Sequence, residues 1–84
     1  MRVNCVTPGT VSTPFGERML QQFPDPVAER AALDARQATG RMVTPEEVAG
    51  AILSLASPRS GSTTGTALEV DGGVTHLRVR SSFI

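Results

Sequence analysis

The chain has 84 residues, 39% of them apolar, and its eight acidic side chains are balanced by eight basic ones, every one an arginine. Without lysine, tyrosine or tryptophan it cannot itself supply a Schiff-base or P-loop lysine, a tyrosine acid/base or a tryptophan stacking platform. Zero net charge with scattered arginines argues against nucleic-acid and membrane partners, and one cysteine with one histidine excludes an internal disulfide framework and a structural zinc site.

No run approaches 18 apolar residues and no charged stretch leads into an apolar one at the amino terminus, so neither a transmembrane helix nor a signal peptide is expected, and a cytoplasmic location is. A chain of this length buries only roughly 60–65% of the surface it exposes when unfolded, which makes independent folding marginal.

Residues 2–6 alternate and predict a strand, closed by the breaker pair Pro8-Gly9. A strand that opens at the second residue has no lead-in, and the expectation is that the chain is part of a longer one. Thr13 as N-cap, Pro14 as first helical residue and Phe15, Met19 and Phe23 at intervals of four predict a helix over about 14–23. Pro24-Asp25-Pro26 stops it and starts another over 26–38, with Val27, Ala28, Ala31, Ala32 and Ala35 as a small-residue face and an end near Gly40. Thr44-Pro45-Glu46-Glu47 is a capping box opening a helix over 45–57. That helix is apolar almost all round, which implies burial on two sides, one against a sheet and the other against a partner subunit. A Ser/Thr/Gly-rich loop then leads to a strand over 66–70, closed by Asp71-Gly72-Gly73, whose glycines can take positive φ. Residues 76–84 form a tail without clear period. The order strand, helices, strand is a β-α-β crossover, hence α/β with two parallel strands, and with helices on one connection only, one sheet face and one edge stand bare.

The stretches Arg2-Val3-Asn4-Cys5-Val6-Thr7-Pro8-Gly9-Thr10-Val11-Ser12-Thr13-Pro14, Gly40-Arg41, Thr44-Pro45-Glu46-Glu47-Val48-Ala49, Leu55-Ala56-Ser57, Thr64-Gly65 and Val70-Asp71-Gly72-Gly73 together resemble the final third of a short-chain dehydrogenase/reductase. The resemblance covers about residues 2–75, and the expected domain portion runs over 1–75. Arg18, Arg36-Gln37 and Gly40-Arg41 resemble the branch containing hydroxybutyrate and keto-deoxy-fuconate dehydrogenases. It implies the C-terminal part of a Rossmann-type doubly wound parallel sheet, with NAD or NADP bound at the carboxyl ends of the strands.

In that family the residue matching Val11 bonds the nicotinamide carboxamide through its main chain, and the one matching Thr13 touches the cofactor's pyrophosphate or nicotinamide end. Pro8, Gly9, Ser12, Pro14 and Phe15 complete the implied cofactor loop. Residues 15–41 would be a substrate-covering lid hinged at its ends, in which Arg18 and Arg36 are candidates for gripping a substrate carboxylate. Each of these also has a plain reading: Thr13 as an ordinary N-cap, Arg18 and Arg36 as solvated helix-face charges, Arg41 as a loop brace, Cys5 as a small buried apolar residue.

The family's active site uses a tyrosine and a lysine four residues later, and its cofactor phosphates sit on a glycine-rich turn, none of which this chain carries. Two readings follow: part of an NAD(P)-dependent oxidoreductase for a small, carboxylate-bearing substrate, inactive alone and with no catalytic residue of its own, or a non-catalytic association module. A homo-oligomer through helix 45–57 and strand 66–70 is expected in the family. A chain that never folds stably is the third possibility.

Overall fold

The computed structural model of the protein describes residues 1–79, in the order β1 (Cys5–Pro8), α1 (Pro14–Leu20), α2 (Pro26–Ala35), α3 (Pro45–Ala56) and β2 (Ala67–Val70), with a single 3-10 turn at Pro58–Ser60. β1 and β2 pair in parallel, Cys5 opposite Ala67 and Pro8 opposite Val70, so all three α-helices lie in one long crossover. β1 starts later than the alternation of residues 2–6 implies and runs through the proline expected to end it.

The parity of the ladder explains the second difference. Cys5 and Gly9 donate their N–H groups to Thr66 O and Val70 O at 3.0 Å each, so odd positions face β2. Pro8, an even position, aims its missing N–H away from the ladder and costs it no bond. Residues before Cys5 are held by side chains instead. The Asn4 amide donates to Thr63 O, and its Oδ1 accepts the Thr66 N–H at 3.0 Å. The Arg2 guanidinium donates to Leu55 O and Ser57 O at the end of α3, where the last helical carbonyls lack helical donors, and to Thr63 O in the loop before β2.

Each α-helix begins where its capping signal says. Thr13 Oγ1 accepts from Gly16 N–H, Asp25 Oδ1 from Ala28 N–H and Thr44 Oγ1 from Glu47 N–H, all at 3.1 Å and all followed by proline. The helices end earlier than the expected 23, 38 and 57. After Leu20 the chain tightens into bonds from Gln22 to Met19 O and from Phe23 to Leu20 O, because Pro24 disfavours helix at the residue before it. After Ala35 the Gln37 side chain donates to Leu33 O at 2.9 Å and Arg41 O at 3.2 Å, taking over carbonyl partners that further helix would have supplied. Gly40, at φ +83°, turns the chain.

The core lies inside the crossover rather than under the sheet. Among the described residues the buried apolar side chains are Leu20, Met42 and Val43. All three belong to an excursion that leaves the end of β1 at Thr10 and returns at Val43, and its ends are bonded to each other. Val43 N–H donates to Thr10 O at 2.9 Å, and Ser12 N–H donates to Val43 O at 2.8 Å. A Glu17–Arg30 ion pair links α1 to α2 within it. The stripe Phe15, Met19, Phe23 faces solvent, while Leu20 packs inward. What the sequence suggests as a lid hinged at both ends is a lobe whose two ends meet at its base.

Among the described residues α3 is the one helix that packs on the two strands. It is expected to be covered on two sides, and one is: its other flank leaves Leu53 72% and Ile52 54% exposed. Between α3 and β1 runs a groove of about 430 Å³ lined by Arg2, Asn4, Cys5, Val6, Ile52, Leu55 and Ala56. Cys5, expected to be buried, is exposed, because strand alternation turns it toward the sheet face that no helix of the described residues covers.

Candidate cofactor and substrate site

The end of β1 meets the end of β2 where Gly9 lies against Asp71. A Cβ at Gly9 would stand 2.8 Å from Asp71 Cβ and 2.9 Å from Asp71 Cα, so only glycine permits this approach. Two residues on, Val11 contributes nothing to the bridge that bears its name, since the bonds belong to Thr10 O and Ser12 N–H. Among the described residues neither the N–H nor the C=O of Val11 has a protein partner. A free donor and a free acceptor of one extended residue point the same way. A primary carboxamide carries the complementary acceptor and donor, so this donor set fits the nicotinamide end of the cofactor that the resemblance implies.

Ser12 spends its N–H on the bridge, and Pro14 has none to offer. The Thr13 hydroxyl oxygen accepts the Gly16 N–H and keeps its own proton to donate. Toward an anion, this short helix therefore offers the Thr13 hydroxyl and the Phe15 N–H. Behind the loop, Thr10, Val11, Ser12 and Thr13 close a small apolar pocket of about 60 Å³ with Leu20, Leu33 and Met42, which seats the loop on the lobe's core.

Phe15 is exposed, and the Arg18 guanidinium lies 6.0 Å above its ring. Arg36 caps the carboxyl end of α2 and is exposed, with no hydrogen bond or ion pair to its side chain among the described residues. Neither arginine lines the pocket behind the loop. Arg41 is a brace: its guanidinium makes two 2.9 Å bonds to the Glu47 carboxylate and a third to Met42 O. That hydrogen bonding, together with the Thr44 N–H, holds the Glu47 carboxyl down at about 2 and raises Arg41.

Two residues important here, Gln37 and Asp71, are marked in the sequence as members of motifs, with no sign of their burial or of what they hold. Gln37 is 1% exposed, and its Oε1 is buried without a partner. It packs against Gly72, where a Cβ would meet Gln37 Cγ at 2.8 Å, while Thr39 N–H donates to Gly72 O. Asp71 is buried and accepts from the N–H groups of Gly73 and Thr75, and bonding from the Thr75 side chain first, then from Gly73, holds its carboxyl below the ordinary range. Gly72 and Gly73 sit at φ +63° and +91°, as a strand-closing turn here requires. The turn after β2 therefore touches both the cofactor loop, at Gly9, and the lobe's return, at Gln37 and Thr39.

His76 Nε2 lies 2.8 Å from Glu69 Oε1 in an exposed pair, tying the start of the tail to β2; residues 80–84 of the expected tail lie outside the described residues. Among the described residues no three His, Cys, Asp or Glu side chains gather as a metal site, and no helix is long and apolar enough to cross a membrane.

Residues 1–75 match the family model described as enoyl-(acyl carrier protein) reductase. The chain is 47% identical over 73 residues to dehydrogenase/reductase SDR family member 6 of Danio rerio, which covers 87% of this chain and 30% of that protein. It superposes on the crystal structure of Cj0485 dehydrogenase with a TM-score of 0.90 at 34% identity, over 99% of this chain and 32% of the other. On the ligand-free aldohexose dehydrogenase of Thermoplasma acidophilum the TM-score is 0.80 at 30% identity, over 99% and 34%. The chain belongs to the short-chain dehydrogenase/reductase family, and its parallel strands and helices are part of that family's Rossmann-type fold. It spans about a third of the length of the relatives it matches.

Proposed function

We propose that the chain is the part of an NAD(P)-dependent oxidoreductase that holds the nicotinamide end of the cofactor and covers a small, carboxylate-bearing substrate at its hydroxyl or carbonyl carbon. The unpaired N–H and C=O of Val11 carry this reading. When bound, the dinucleotide supplies the hydride acceptor or donor. Pro8 and Gly9 bring the strand end close to Asp71 and leave Val11 facing outward, Ser12 fixes the loop to Val43, and Thr13 offers its hydroxyl. Pro14 starts the helix that sets Phe15 as a wall. Arg18, whose guanidinium carbon lies 6.0 Å from the Phe15 ring centroid, is one candidate for binding the carboxylate, and Arg36 is the second. With neither tyrosine nor lysine, the chain alone holds no acid/base for the transfer. A reducing, cytoplasmic setting suits the free, exposed thiol of Cys5.

The test is titration of the chain with NADH and NADPH, followed by nicotinamide fluorescence. Val11→Pro removes the outward N–H and spares both bridge bonds; it should weaken binding at least tenfold. Equal affinity in the variant would refute the assignment. A second reading, an association module, is favoured by Ile52 and Leu53, which face solvent on α3. A homo-oligomer through α3 and β2 should sediment above monomer mass and dissociate in Leu53→Glu.

A further inference from the structure

We propose that Gln37 is a positioning residue: from inside the lobe it sets Arg36, its neighbour in the chain, at a fixed place relative to the cofactor loop. The inference rests on the reading of Arg36 as a grip for a substrate carboxylate and of the loop from Pro8 to Phe15 as the seat of the nicotinamide.

Arg36 cannot place itself. Its side chain is exposed and has no hydrogen bond or ion pair among the described residues, so the backbone alone decides where the guanidinium stands. That backbone is the end of α2, and two side chains pin it. Asp34 Oδ1 accepts the Met42 N–H at 3.1 Å, and the Gln37 amide donates to Leu33 O at 2.9 Å and to Arg41 O at 3.2 Å. The carbonyls four residues before and four residues after Gln37 are thus gathered on one NH2 group, and Arg36 lies within the turn so closed.

A residue selected for packing would differ. Gln37 is 1% exposed and its Oε1 is buried without a partner, a cost that a methionine of similar volume would not carry. Nor do the two carbonyls depend on the amide for a partner, since Leu33 O also accepts the Arg36 N–H and Arg41 O the Thr39 hydroxyl. What the amide adds is direction. Two carbonyls held by one planar group are fixed in angle, and with them α2 against the lobe's return.

The same side chain bears on the cofactor loop by two routes. It fills the space at Gly72, where a Cβ would stand 2.8 Å from Gln37 Cγ, and the preceding residue, Asp71, leaves no more room at Gly9. Through Leu33, whose carbonyl it holds, it also reaches the pocket behind Thr10, Val11, Ser12 and Thr13. Gln37 therefore joins the carboxylate grip to the nicotinamide seat. A displacement of about 1 Å between two such groups is enough to cost roughly a hundredfold in rate.

The experiment follows the Arg36 Nε–H by NMR while the full chain is titrated with malonate, a small dicarboxylate, and with malonamide, its neutral counterpart. In the parent, malonate should shift the Arg36 signal saturably and malonamide should not, and the amides of Thr39, Gly72 and Gly9 should shift along with it. Gln37→Met keeps the length and volume of the side chain and removes both donors together with the orphaned acceptor. It should leave the urea midpoint within about 0.5 M of the parent and weaken malonate binding by about fivefold or more. The shifts at Thr39, Gly72 and Gly9 need no variant, so they decide the matter even if Gln37→Met does not fold. An Arg36 signal unmoved by malonate, shifts confined to Arg36, or a Gln37→Met chain that binds malonate as the parent does would overturn the proposal. So would a loss of binding that merely follows a fall in the urea midpoint. Malonate binding that depends on Gln37 in a chain that takes up neither NADH nor NADPH would uphold the clamp and remove the cofactor reading. NADH binding weakened by Val11→Pro, with malonate indifferent to Gln37, would do the reverse.

Discussion

Leu20→Ala tests where the stability of this chain resides. Leu20 is 6% exposed and belongs, with Met42 and Val43, to the small core of the lobe. Emptying a buried leucine site costs about 2–5 kcal/mol, and the lower half applies here because the lobe's core borders solvent and can relax, giving about 2–3 kcal/mol. At roughly 0.05–0.15 kcal/mol per residue, a chain of this length has about 4–13 kcal/mol in total, so one truncation removes a large fraction. With a urea slope of about 1 kcal/mol/M, the midpoint should fall by about 2–3 M. The assay is urea unfolding followed at 222 nm, with hydrogen exchange at the bridge amides of Ser12 and Val43 as the local reporter. Leu53→Ala is the control: at 72% exposure it should stay within about 0.5 kcal/mol of the parent. A Leu53→Ala loss equal to that of Leu20→Ala would refute the reasoning, because α3 would then be buried in solution and the lobe would not be the principal core.

Gly9→Ala should cost about 1–3 kcal/mol, since its methyl would press on the Asp71 backbone at 2.9 Å, and exchange at the Gly9 amide should quicken; an unchanged midpoint would show that the two strand ends are not in contact. The Glu47 carboxyl, held at about 2 against an ordinary 4.5 by Arg41 and the Thr44 N–H, is depressed on folding. Its contribution is therefore complete above about 4.5 and is lost as pH falls toward 2. An NMR titration of the carboxyl carbon should find its midpoint near the lower figure, a midpoint near 4.5 would dismiss the brace, and Glu47→Gln should flatten the acid limb of α3 unfolding. In a reconstituted enzyme, Arg36→Ala should raise KM for an acidic substrate several-fold more than for a neutral one; equal changes would return Arg36 to the role of a solvated charge.

The parts of this fold that sequence announces are those governed by neighbours along the chain. Thr13-Pro14, Asp25-Pro26 and Thr44-Pro45 each mark a helix start because a capping bond spans three residues. Helix ends are less legible, since α2 stops where the Gln37 side chain competes for carbonyls, a choice that depends on its burial against Gly72. Strand β1 passes through Pro8 because the partner strand, some 60 residues away, sits on the other side. Arg2 looks like one more arginine until the end of α3 is brought to it from across the crossover. The loop from Pro8 to Phe15 stands out as a candidate site through resemblance. Which of its backbone groups stay free became visible only when the bridge to Val43 was drawn.

That bridge also bears on how the chain folds and how it can vary. The strands join residues as much as 62 positions apart, a long closure for so small a structure. Pairing Val11 with Val43 first takes the lobe out of the loop that remains to be closed, roughly halving it and lowering its entropic cost by about 0.6 kcal/mol. The same two bonds hide the lobe's interior from the strands, which meet it chiefly at its base and at the turn after β2. Insertions, deletions and helix exchanges between Ser12 and Gln37 can thus remodel the lobe while the strand frame keeps its register, so the lobe behaves as an exchangeable cassette on a fixed socket.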